Sequence, residues 1–473
     1  MGVLGKITFN TIASSLGRVI GGILALASVG FITRGLGKGG FGEYSTVVAY
    51  LSTFQILADL GLYSLLTKEI SQKPDKEKEL VGHYFTLRLF TAALFLFLAS
   101  ILVFAFPYSL EVKMGVVITS SAFLFLSLSQ IFLGVFQKHT QVYKAAIAEV
   151  LGRTAQLGFV WYFFTKEGVL VSYLSALIVG AFVIFALNLF FTRKLVRFRL
   201  LVSFKEWRRI TKETLPIAAS LLFTLLYFKA DTILLSIMKT QEDVGIYSAA
   251  YKVLETLIFF PAAFMGLMLP VLSRYAKNNK EKLSLVMSQL LKLITVGAFP
   301  VVVGGALTAT TVVYFIGGAD FLASALPLQI LFLATGVIFF GTLFGNTVIA
   351  LGLQRKAMWA YFAGFVFNFA ANIVVIPQYS YIGTAWTTVF TEILVTTYLV
   401  FIVRKEVGFN VPLGALTKIA AVTAVMGLGV FYLTTPLQTP LSVFKFIFVT
   451  LSAVSIYTLF SWKAGLFSRI SID

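Results

Sequence analysis

A chain of 473 residues that is 58% hydrophobic and only 12% charged, with mean hydropathy +0.91, is too apolar for a soluble domain, which would be about a quarter charged. Its net charge of +18 would suggest nucleic acid in a soluble protein, but the bases fall between apolar runs, where they orient the chain and meet anionic lipid headgroups, so no nucleic-acid partner is expected. The absence of cysteine excludes disulfides, thiol chemistry and Cys-based metal sites, and His83 and His139 are too few and too far apart for a His-based one.

Apolar runs of roughly 20 residues, each long enough to cross a hydrocarbon core of ~30 Å as a helix, recur from end to end. The first begins near Thr11, carries Arg18 and lacks a small-residue cleavage site, so it reads as a retained span and not as a signal peptide. Fourteen spans are expected, at 11–33, 41–66, 83–107, 114–137, 145–165, 168–192, 214–238, 244–270, 285–310, 325–352, 357–377, 381–403, 411–434 and 440–461. The class is an all-α polytopic membrane protein. With the N-terminus inside, the inner loops and termini hold about 25 Lys/Arg and the outer ones about five, the bias expected of cytoplasmic loops. The richest inner segments are "RKLVRFRLLVSFKEWRRITK" (193–212), "SRYAKNNKEK" (273–282) and "KEISQKPDKEKE" (68–79). The outer loops at 318–324, 378–380 and 435–439 have none. Adding or dropping one span would scramble this alternation, so both termini are expected inside.

An internal repeat runs through the chain. "FGEYSTVVAY" (41–50) resembles "VGIYSAAYKV" (244–253), with Gly42, Tyr44 and Ser45 matching Gly245, Tyr247 and Ser248. "FQK" (136–138) and "LQR" (353–355) close the fourth helix of each set, and "FTRK" (191–194) and "IVRK" (402–405) follow the sixth. The expected organisation is two six-helix lobes, 1–200 and 201–405, then two added helices within 406–473. The basic linker 193–213 joins the lobes, with a short amphipathic helix expected on the inner membrane surface. Two lobes of the same orientation are the arrangement that places an alternating-access cavity at their interface.

The stretch "ITRGLGKGGFGEYSTVVAYLSTFQILADLGLYSLLTKEIS" (32–71) and the start of the second set, "KADTILLSIMKTQEDVGIYSAAYKV" (229–253), resemble the polysaccharide-export branch, of O-antigen flippase type, of the multidrug/oligosaccharidyl-lipid/polysaccharide flippase superfamily. The resemblance implies two helix bundles in a V around a central cavity. It implies a flippase that carries a polyprenyl-(pyro)phosphate-linked oligosaccharide from the inner to the outer leaflet of the cell membrane, alongside the proteins of polysaccharide assembly.

A charge inside a membrane is costly unless it faces protein or water. Several have simple accounts: Glu149 and Arg153 are spaced to pair along one helix, as are Lys252 and Glu255, while Lys418 and Lys445 can snorkel. Arg88 lies about a turn and a half from the inner face, and Asp59 belongs to "ADLGL", where Gly61 can loosen the helix and Asp59 can serve as a cap or a gate pair. Arg18 lies about 10 Å into the first span at 1.5 Å per residue. Lys229 and Asp231 stand i,i+2 in the seventh, about 200° apart around the axis, and cannot easily pair. Glu392 has only threonines as local polar company. For an anionic lipid-linked glycan, Arg18, Arg88, Arg153, Lys229 and Lys252 are the candidate phosphate ligands, with Asp59, Asp231 and Glu392 assigned to gating or ion coupling. Gln130, Asn346, Asn368 and Asn372 could meet sugar hydroxyls.

"GLGKGG" (35–40) is not a nucleotide-binding loop, and the loops hold no ATPase domain, so no cofactor or metal is expected and transport must draw on an ion gradient, with Na⁺ or H⁺ as candidate coupling ions, on the membrane potential or on substrate flow. Rival functions are a multidrug antiporter of the same superfamily, which would want an acidic cavity, and a peptidoglycan lipid-precursor flippase. A membrane glycosyltransferase would need a catalytic residue on a sizeable outer loop, and the outer loops are too short for an enzyme of that kind.

Overall fold

The computed structural model describes residues 3–59, 61–434 and 440–466, with side chains described for these except 3–9, 11–12 and 215–227. The expected outer loop at 435–439 lies outside the described residues. The described residues form α-helices in the order α1 (Val3–Asp59), α2 (Leu62–Gln72), α3 (Glu77–Leu102), α4 (Leu110–Lys138), α5 (Tyr143–Thr165), α6 (Leu170–Leu195), α7 (Phe204–Met238), α8 (Gln241–Leu257), α9 (Phe259–Asn278), α10 (Lys280–Gly317), α11 (Ala325–Ala350), α12 (Gln354–Val407), α13 (Leu413–Thr434) and α14 (Val443–Lys463), with short linkers between them.

Two of these are double passes. At 57 and 54 residues, α1 and α12 would each run ~80 Å if straight, far beyond a ~30 Å hydrocarbon core. Each reverses at one residue with non-helical backbone, Gly37 (φ 65°, ψ −177°) and Ser380 (φ 46°, ψ −136°). The expected second span runs to Asp59, breaks at Gly61 and resumes as α2. The eighth is α8 followed by α9, because Pro261 has no N–H to offer the carbonyl of Leu257, where α8 ends. Counting these joins, the described helices supply the fourteen passes read from hydropathy.

The chain divides into two compact units, Met1–Gly245 and Ile246–Asp473. The repeat places a lobe boundary near residue 200 by sequence correspondence; packing keeps α7 with the first unit. Ile210 sits in the core of Leu62, Leu66, Tyr84, Phe132 and Phe136, and the Tyr108 hydroxyl meets Ser236 Oγ at 2.8 Å. The second unit has its own core around Leu272, Met287, Leu290, Leu343, Leu399 and Val403. Within lipid such cores are held by close packing and interhelical hydrogen bonds, since lipid tails are as apolar as leucine.

The linker differs from its expected form. Residues 196–203 are not helical, and the amphipathic part is the first turns of α7 itself. Ser203 caps that helix by accepting from the Glu206 amide at 3.4 Å, with Glu206 three residues on, the spacing of a capping box. The strand-like segment is strapped along α3. Leu201 O accepts from Thr86 Oγ1 and lies 3.2 Å from His83 Nδ1, and Phe198 packs on Phe85 and Phe132.

Candidate functional site

The break between α1 and α2 organises the first charged site. Gly61 takes left-handed backbone (φ 67°, ψ 17°), which costs glycine little, and a helix that ends as α1 does leaves its last carbonyls in need of partners outside the helix. Arg88 of α3 fills that need. Its Nη1 donates to Ala58 O at 2.9 Å and to Asp59 Oδ1 at 2.7 Å, its Nη2 to Gln130 Oε1 at 2.9 Å and its Nε to Ser127 O at 3.2 Å. Thr91 Oγ1 also donates to Ala58 O. A cation at a helix C-terminus is favoured by the helix dipole, and the fully buried guanidinium (0% exposed) has carboxylate and carbonyl partners in place of water. Arg88, one of the phosphate candidates, is thus engaged by protein on all three nitrogens, and Gln130, a sugar candidate, is engaged with it. Asp59 retains a partly open carboxylate, with 32% of its side chain exposed.

The other bases of the first unit are more accessible. Arg18 is exposed on α1. Arg153, half-buried on α5, does not pair with Glu149 as its spacing suggested: its Nη1 turns one helical turn onward to Gln156 Oε1 at 3.2 Å. The rotamer that makes this bond leaves Arg153 Nε buried without a hydrogen-bond partner. On α7, Asp231 is buried (1% exposed) and Lys229 half-buried.

In the second unit, Lys252 pairs with Glu255 at 2.8 Å, the i,i+3 pair its spacing suggested. The reversal at Ser380 folds α12 back on itself, so Asn368 of the first half donates to Thr391 Oγ1 of the second at 3.4 Å, and Asn372 donates to Asn368 Oδ1 at 3.3 Å. Thr388 lies 3.1 Å from the Tyr247 hydroxyl. Glu392, next to Thr391 in sequence, is buried at 3% exposed. Asn346 donates to Thr342 O on its own helix.

A further feature escaped sequence reading. At the turn after Gly37, α1 meets the first turn of α8 through the two glycines that the repeat had matched. A Cβ on Gly42 would stand 1.7 Å from Gln241 O, and one on Gly245 1.9 Å from Lys38 O. Lys38 and Gln241 are themselves equivalent positions of the repeat, so the contact is reciprocal. Thr46 Oγ1 donates to Gln241 Oε1 at 2.9 Å and Lys38 pairs with Glu242 at 2.8 Å. The signal was available: a glycine kept at the same place in both copies of a repeat marks a backbone that must come close.

The fold recurs in known proteins. A probable low-salt glycan biosynthesis flippase, Agl15, of Haloferax volcanii is 21% identical over 377 residues, 79% of this chain and 78% of that one. A solved structure of the lipid II flippase MurJ in an inward closed conformation superposes with TM-score 0.78 at 17% identity, covering 97% of this chain and 99% of that one. An inward-facing multidrug resistance MATE family transporter of the MOP superfamily follows at TM-score 0.67 and 14% identity, covering 84% and 98%. At these identities the two structures show a shared fold. The family model described as polysaccharide biosynthesis protein matches residues 7–276, more than half of the sequence, and on that match the chain belongs to the polysaccharide biosynthesis protein family.

Proposed function

We propose that this protein is a flippase that moves a polyprenyl-phosphate- or diphosphate-linked oligosaccharide from the inner to the outer leaflet of the cell membrane by alternating access of two repeat-related lobes. The observation that carries this reading is which charges can be reached. Arg18 is exposed and Arg153 and Lys229 are half-buried, whereas Asp231 and Glu392 are buried at 1% and 3%. Bases more accessible than these two acids suit an anionic cargo, whereas a carrier of cationic drugs would need the opposite; the exceptions are Arg88, fully buried against the partly open Asp59, and Glu149, half-buried like Arg153. Guanidinium and ammonium groups lower the cost of moving a phosphate through hydrocarbon by replacing its hydration with charge-assisted hydrogen bonds. Arg153 supports the reading further, since a buried guanidinium N–H without a partner is an anion donor in waiting.

The family membership and the glycan flippase among its relatives agree with this reading. The bias of basic residues supports an orientation with both termini in the cytoplasm. Asp231 and Glu392 are our candidates for coupling transport to Na⁺ or H⁺, because buried carboxylates in a membrane are costly and are retained where they bind a cation or proton. Arg88 and Lys252 are the weakest of the phosphate candidates, because Asp59 and backbone carbonyls already hold the first, fully buried, and Glu255 neutralises the second. The reading is of a transporter and not an enzyme.

In cells lacking the native gene, Arg18→Ala or Lys229→Ala is expected to reduce glycan export at least tenfold with unchanged protein in the membrane. Arg18→Lys should retain part of the activity by keeping the charge. Wild-type export by the alanine variants would remove those residues from the site.

A further inference from the structure

The strap at residues 193–212 has an economy of charge that transport of a glycan does not require. Three carboxylates lie close to it, Glu69, Glu206 and Glu213, and one arginine takes all three. Arg209 meets both oxygens of Glu69, Glu206 at 3.0 Å and Glu213 at 3.1 Å. Hydrogen bonds donated to Glu69, then to the other two carboxylates, hold that guanidinium above its already high ordinary pKa. That leaves four exposed bases of the strap without a carboxylate partner among the described residues. Arg197, Arg199, Lys205 and Arg208 are exposed and form no ion pair among the described residues. Between them Leu200, Val202 and Phe204 stand 61%, 67% and 78% exposed.

The strap cannot turn these groups inward. Gly82 leaves so little room that a Cβ there would come within 2.3 Å of Arg199 O. Val196 and Ile210 are locked in the hydrophobic core at either end, and Trp207 stacks on Phe90 at 5.4 Å. The result is a fixed surface of uncompensated bases interleaved with protruding apolar side chains. That combination matches the boundary of an anionic leaflet, where bases meet phosphates and apolar tips enter the acyl layer.

We propose that the 193–212 strap is a binding surface for the anionic headgroups of inner-leaflet phospholipids. It rests on the proposed orientation of the chain and not on transport, and the test is therefore a binding measurement made without any lipid-linked glycan. Purified protein is placed in bilayers of equal phosphatidylglycerol and phosphatidylcholine, and the lipids it retains are counted by native mass spectrometry. Phosphatidylglycerol should be retained preferentially, and the preference should fall as salt is raised.

The variant R197Q/R199Q/K205Q/R208Q should lose at least tenfold of that preference, since each surface base contributes about fivefold. These side chains have no ion pair to lose, so the variant should keep the thermal midpoint of the wild type. The charge-preserving R197K/R199K/R208K should retain the preference, which separates lost charge from lost shape and remains informative if the neutral variant folds poorly. Equal retention of the two lipids by the wild type, or an undiminished preference in the neutral variant, would overturn the proposal. So would selective displacement of phosphatidylglycerol by a few per cent of polyprenyl phosphate, which would make the strap a substrate port instead.

Discussion

Gly42→Val should abolish glycan export while the protein still reaches the membrane. A single Cβ at this position stands 1.7 Å from Gln241 O, about half an ordinary van der Waals separation, and the atom it meets is backbone, which cannot rotate away. Valine adds two more methyl groups, so α1 and the first turn of α8 must part by well over an ångström. Gly245→Val should do the same from the other side, because Lys38 O lies 1.9 Å from its Cβ position. The ion pair beside the glycines is the lesser effect. Lys38 and Glu242 have side chains 43% and 56% exposed, and such surface pairs contribute roughly 0–1 kcal/mol. Lys38→Ala should therefore export at nearly the wild-type rate. The contrast between the two variants tests whether close backbone approach, and not charge, holds this contact. Full export by Gly42→Val would show that the contact is dispensable to the transport cycle.

Arg88→Ala should be the most destabilising single substitution among the intramembrane charges. It takes the partner from Asp59, whose carboxylate is partly open, from Gln130 and from the carbonyls of Ala58 and Ser127. Removing one partner of a buried ion pair costs about 3–5 kcal/mol, because the other is left uncompensated. Arg88→Lys should recover only part of this, since an ammonium is a point charge and cannot span four acceptors set around a planar fork. Asp59→Asn should be milder than Arg88→Ala, because the amide oxygen can still accept from Nη1 and the other three bonds survive. Thermal unfolding of the purified variants orders them; an Arg88→Ala midpoint equal to the wild type would show that the guanidinium contributes no stability at the break.

The passes of the chain were legible because twenty apolar residues in a row admit few alternatives in a bilayer. The helix break was legible too, since Gly61 follows Asp59 in a motif that departs from the helical pattern. What closes that break was not. Arg88 and Asp59 belong to different spans, and no local period says which of several intramembrane charges will meet. Spacing also misled at Glu149 and Arg153, where i,i+4 permits a pair but the rotamer that reaches Gln156 was adopted. Lys252 and Glu255, with the same kind of spacing, did pair. The linker followed composition in being basic and amphipathic, yet its extended course depends on hydrogen bonds to Thr86 and His83, more than a hundred residues earlier in the chain.

The most direct test of the flippase reading is reconstitution of the purified protein in liposomes carrying a defined polyprenyl-diphosphate-linked oligosaccharide. The quantity scored is the glycan newly exposed on the opposite leaflet to an added glycosidase. The account predicts exposure that depends on the protein and is lost in the Arg18→Ala and Lys229→Ala variants. Proteoliposomes that never expose the glycan, yet extrude a cationic dye, would contradict it and favour a drug antiporter.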